Sequence, residues 1–121
     1  MTAAASIVSE RDFQRTVVEM ARAYGWLVYG VLEQFVPARR LSKGFPDLVM
    51  VRGEGKGGRL IFAELKSEKG RLTIDQLQWL AALGQLKGTL GFVEVYTWRP
   101  SSWDEIEAVL GRVTEPAAKE A

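Results

Sequence analysis

Apolar and polar positions fall into blocks whose period changes along the chain, and each change marks an element. In residues 9–24 the apolar side chains Phe13, Val17, Met20, Ala21 and Tyr24 recur at helical spacing, with Ser9 placed as an N-cap and Gly25 as a stop. From Trp26-Leu27-Val28-Tyr29 the pattern becomes aromatic and branched, which predicts a strand, and Pro37 with the basic residues after it predicts a loop. Residues 47–52 read as a short apolar strand, the glycine-rich run 53–58 as a turn, and 59–66 as the returning strand of a hairpin. That glycine run is not a phosphate-binding loop, because it lacks the G-x-x-x-x-G-K-[ST] spacing and a strand follows it where a helix would be required.

Thr73 and Gln76 fit a capping box that opens a helix running to about Lys87, before Gly88. Only Asp75, Gln78 and Gln85 make a clear polar stripe on this helix. It is therefore expected to be buried on more than one side, one of which could be a subunit interface. Residues 91–98 predict another strand, and Ser102 with Glu105 a second capping box opening a last helix to Leu110. The order is α-β-β-β-α-β-α without repeat or internal linker, which predicts an α/β fold with a mixed central β-sheet flanked by helices. Residues 1–8 are expected to be a flexible N-terminus, 9–111 a single domain, and 112–121 a disordered tail.

Composition removes more chemistry than it suggests. The 121 residues include no histidine and no cysteine, so zinc fingers, Cys-His pairs and Ser-His-Asp triads are excluded. The lack of cysteine is compatible with a cytoplasmic location, the short apolar start has no basic n-region, and no stretch is long enough to span a membrane. Catalysis would have to run on carboxylates, Lys, Tyr, Ser or an oxygen-held metal. Net charge is only +1, but residues 39–71 hold nine basic side chains against four acidic ones, an excess located where a phosphate backbone would need it. Lys56 and Arg59 within that span read equally as solvated hairpin residues.

The chemistry-bearing pattern is Gly44-Phe45-Pro46-Asp47 followed by Glu64-Leu65-Lys66. Alternation along a strand puts Glu64 and Lys66 on one face, and hairpin pairing would bring Asp47 to that face too. Two carboxylates and an ammonium so placed suit a hard divalent cation beside a phosphate, with the main-chain carbonyl of Leu65 as a further oxygen ligand. A cross-strand ion pair on a solvated face is the alternative for Glu64 and Lys66. The nearly continuous apolar run around them (Leu60, Ile61, Phe62, Ala63, Leu65) argues against it.

These elements resemble the PD-(D/E)xK nuclease superfamily. Over residues 9–110 the wider pattern is similar to its virus-type replication-repair nuclease (VRR-Nuc) domain: Glu10 and Gln14 in the first helix, Lys43-Gly44-Phe45-Pro46-Asp47, Phe62-Ala63-Glu64-Leu65-Lys66, Gly70-Arg71-Leu72-Thr73 and Gln76. The resemblance implies a restriction-endonuclease-like core with Asp47 and Glu64 as ligands of Mg²⁺ or Mn²⁺ and Lys66 as the catalytic lysine. Glu10 would lie beside the metal and Gln76 near the site. Glu10 could instead only favour a helix N-terminus, and Gln76 only complete its cap. Lys43, Arg39, Arg40, Lys69 and Arg71 are candidate phosphate grips, although residues 31–41 match no family motif and solvated loop is equally open for Arg39, Arg40 and Lys43. The four tryptophans are expected in core or interface rather than as base-stacking platforms.

The implied activity is metal-dependent DNA endonuclease, Holliday-junction resolvase-like and homodimeric, in a viral or mobile-element setting (host cytoplasm if viral). Cleavage of flaps, nicks or linear duplex, or DNA binding without catalysis on the same fold, remain as alternatives.

Overall fold

The computed structural model describes residues 9–30, 43–53 and 57–112. The expected flexible N-terminus, Arg39, Arg40, Lys56 and nearly all of the expected disordered tail lie outside these residues. Helix α1 is Glu10–Ala23, and strands β1 and β2 are Leu27–Gly30 and Leu48–Arg52. Strand β3 is Arg59–Leu65, helix α2 is Ile74–Thr89, strand β4 is Val93–Trp98, and helix α3 is Trp103–Gly111. The fold is α/β with the element order read from the sequence, plus a 3-10 turn at Pro100–Ser102.

The four strands form one sheet in the order β1-β2-β3-β4. The first three pair antiparallel, whereas β3 and β4 pair parallel, as the α2 crossover between them requires. The register sets Leu48 opposite Ala63, so Asp47, one residue before β2, falls level with Glu64.

Strand alternation sorts the two faces. Ile61, Ala63 and Leu65 of β3 join Leu48, Met50, Trp26 and Trp98 in a core closed by Phe13, Val17, Val18 and Ala21 of α1 and by Ile106, Val109 and Leu110 of α3. Phe62 points the other way and meets Phe45 edge to face, and Phe45 meets Trp79 of α2 in the same manner. Glu64 shares the Phe62 face, so the carboxylate is carried on the α2 side of the sheet.

Three expectations need correction. Helix α2 has no buried residue, and Ile74 (76% exposed), Leu77 and Leu86 stand open. One helix covers only part of a sheet face in so small a domain, so its further apolar sides find nothing to pack on among the described residues. The helix also runs through Gly88 to Thr89, with Leu90 N–H still donating to Leu86. Finally, the Ser102 capping box does not form. Pro100 opens the 3-10 turn instead, and the Ser102 hydroxyl accepts from the Arg99 N–H outside the helix.

Candidate metal and nuclease site

The loop before β2 is locked in place by sterics. Gly44 has φ +84°, and a Cβ there would lie 2.4 Å from the Asp75 carbonyl carbon and 2.6 Å from the Gln76 nitrogen. Only glycine lets this backbone rest on the first turn of α2. Phe45 then wedges between β3 and α2, Pro46 is buried, and Asp47 is delivered to the end of β2. The Asp47 carboxylate accepts the Leu65 N–H at 2.8 Å, which ties it to the returning strand.

Glu64 is 2% exposed. Its Oε2 accepts from the Gln76 side-chain Nε2 at 2.8 Å, while its buried Oε1 accepts nothing among the described residues. Gln76 does both things the sequence offered as alternatives. Its Oε1 accepts the Thr73 N–H at 2.8 Å and its backbone N–H donates to the Thr73 hydroxyl, completing the capping box, and its Nε2 reaches Glu64. One side chain thus couples the start of α2 to the carboxylate.

Asp47 and Glu64 lie close enough for each to act on the other's ionisation. Burial, and then the negative charge of Asp47, push the Glu64 carboxyl up to about 8. Burial also raises Asp47, against the Leu65 N–H that lowers it, with Glu10 adding to the rise. Lys66 lies near enough to oppose both shifts, and its backbone N–H holds the last rung to Trp98 at 2.9 Å. A buried Glu64 carboxyl with an orphaned oxygen, beside the half-buried Asp47 carboxyl, offers oxygen donors of the kind that suit a hard divalent ion.

Glu10 is exposed at the start of α1 and acts on both carboxyls through its charge, but no three acidic groups gather into a metal site among the described residues. Gln14 is buried. Its Nε2 sits 3.2 Å from where a Gly30 Cβ would be and has no hydrogen-bond partner among the described residues. Lys43, Lys69 and Arg71 are exposed on the loops flanking the start of α2.

The basic excess is less local than the sequence suggests. Arg52 and Arg59 are buried at the opposite ends of β2 and β3 from the carboxylates. Both lie over the Trp26 ring and donate to the C-terminal carbonyls of α3, Arg52 to Leu110 and Arg59 to Val109. They cap a helix rather than face a ligand. Trp26 and Trp98 are core, and Trp79 and Trp103 half-buried, as expected of structural tryptophans.

The sequence pattern did not reveal the part Gly44 plays. A glycine just before a Phe-Pro-Asp run was the available signal, but its need for close approach to α2 is a tertiary fact. No helix among the described residues is long and apolar enough to cross a membrane. No curated protein and no solved structure matches the chain significantly. The model of one family, the VRR-NUC domain, matches residues 9–97, which take in the first helix, the hairpin that joins Asp47 to Glu64, and Gln76. With that span and this carboxylate arrangement, the chain belongs to the VRR-NUC domain family, whose nucleases are of the PD-(D/E)xK type.

Proposed function

We propose that the chain is a divalent-metal-dependent DNA endonuclease, acting as a homodimer on branched DNA in the manner of a Holliday-junction resolvase. The observation that carries the reading is the half-buried Asp47 beside the buried Glu64, whose Oε1 has no partner among the described residues. Asp47, Glu64 and the Leu65 carbonyl would hold Mg²⁺ or Mn²⁺, with Glu10 contributing negative charge from farther out. A divalent ion held there would supply an activated water and withdraw charge from a phosphodiester oxygen.

The chain's own groups do the rest. The Leu65 N–H fixes the Asp47 carboxylate, and Gln76 fixes Glu64 through Oε2 so that Oε1 remains free for a ligand. The Lys66 ammonium, on the same strand face as Glu64, orients the attacking water and opposes the charge that grows on phosphorus oxygens. Lys43, Lys69 and Arg71, exposed on the loops by the start of α2, grip backbone phosphates, a role for which Arg39 and Arg40 are further candidates by sequence. Symmetric cutting of a four-way junction needs two active sites, and the exposed Ile74 and Leu77 of α2 offer an apolar surface for a second copy.

The test is cleavage of a labelled four-way junction, a flap, single-stranded DNA and linear duplex with Mg²⁺ and with Mn²⁺. Paired symmetric cuts confined to the junction, absent in Asp47→Asn, are expected. Cutting of flap or linear DNA would retain the active site and overturn the substrate. DNA binding that is equal in EDTA, with no cutting under any ion, would overturn the enzyme and leave a binding module.

A further inference from the structure

Strand β3 ends at Leu65, one further backbone bond runs from Lys66 to Trp98, and among the described residues no strand pairing holds the segment that follows. Residues 67–70 nevertheless form a defined turn, closed by the Gly70 N–H donating to the Ser67 carbonyl at 3.2 Å. Arg99, the residue after β4, reaches into this turn. Its Nη1 donates to the Ser67 carbonyl at 2.7 Å and the Gly70 carbonyl at 2.6 Å, with the Glu68 carbonyl at 3.4 Å. Three carbonyl dipoles that would repel one another are gathered on one guanidinium. Glu68 adds a second tie by accepting the Ser101 N–H. The Arg99 backbone is itself pinned, its N–H donating to the Ser102 hydroxyl and its carbonyl accepting from the Ser102 N–H.

The turn in turn bounds the Lys66 side chain. A Cβ on Gly70 would lie 3.5 Å from the Lys66 Cδ and 2.8 Å from the Ser67 hydroxyl oxygen, so the lysine stem passes directly over Gly70. We infer that Arg99 is a positioning residue for Lys66: by holding the Ser67 and Gly70 carbonyls, it fixes the turn over which the lysine stem runs and so aims the ammonium at the carboxylate pair. Arg99 lies outside the residues 9–97 matched by the family model. The inference rests on the nuclease reading for Lys66, and the anchoring it requires can be read without any activity.

The experiment compares the full chain with Arg99→Gln and Arg99→Lys. Amide hydrogen exchange at residues 66–70 in Arg99→Gln should rise about tenfold or more while β2 and β3 keep their protection. In cleavage, kcat should fall about tenfold to a hundredfold with KM unchanged, as for a misplaced catalytic group. Arg99→Lys, which keeps a charge but not the fork, should recover part of the loss. Adding Arg99→Gln to Lys66→Ala should cost nothing further.

Unchanged exchange at 66–70 would overturn the anchor, whatever the nuclease assay gives. Raised exchange with unchanged kcat in an active enzyme, or a full additional loss on the Lys66→Ala background, would overturn the link to Lys66. A wild-type chain that cuts nothing would sink the nuclease reading, and with it the link, while the exchange measurement still judged the anchor.

Discussion

Glu64 concentrates the tension in this molecule, since it is a carboxyl pushed up to about 8 by burial and by Asp47. The folded, metal-free chain keeps a proton there that the unfolded chain, near its ordinary 4.5, has lost. Stability tied to Glu64 is therefore full below that ordinary value and is lost as pH rises through the folded one. Glu64→Gln, uncharged throughout, should flatten this dependence and stabilise the metal-free protein at alkaline pH by roughly 5 kcal/mol, measured by urea unfolding across the pH range. Gln76 and Thr73 separate capping from chemistry. Thr73→Ala should cost about 1 kcal/mol of stability with little effect on cleavage, because only a cap is lost. Gln76→Ala should add a loss of about 10–100-fold in metal affinity or activity, because Glu64 loses the donor that orients it.

Among the elements, the contact between the 44–47 loop and α2 is the most exacting. Gly44→Ala must leave φ +84° or collide with the backbone of Asp75, so a loss of at least about 2 kcal/mol is expected by thermal unfolding. At the other end of the sheet, Arg59 makes two hydrogen bonds to Glu94, at 2.6 and 2.8 Å, and Tyr96 donates to the same carboxylate. Burial would raise Glu94, but Arg59 and Tyr96 outweigh it and hold the carboxyl below 4.5. Its contribution is present above that value and fades as pH falls through the lowered one. Glu94→Gln should destabilise the protein by about 3 kcal/mol near neutrality, because a buried guanidinium loses its counter-charge, and should lessen the loss of stability in acid.

Elements that rest on local signals were legible: the Thr73 capping box, the apolar spacing of α1, the hairpin across the glycine run, and through it the meeting of Asp47 with Glu64. Features set by distant partners were not. Arg59 reads equally as a solvated hairpin residue until α3 arrives to be capped, and Ser102 looks like an N-cap until Pro100 starts a tighter turn before it.

For the whole molecule, the sheet is closed on one face by α1 and α3 and only partly on the other by α2. Ile74 and Leu77 remain exposed there, as do Leu27, Tyr29 and Val51 on the first two strands. If a second copy covers the α2 residues, Leu77→Lys should shift sedimentation from dimer to monomer and turn paired junction cuts into single nicks. A monomeric wild-type chain would remove the dimer from the account without touching the site. The site itself is judged by calorimetric titration with Mn²⁺. One saturable site per chain, taking up the ion with release of a proton near neutral pH and lost in Asp47→Asn, is the predicted result. Binding of the same strength in Asp47→Asn, or no binding to the wild-type chain, would contradict it.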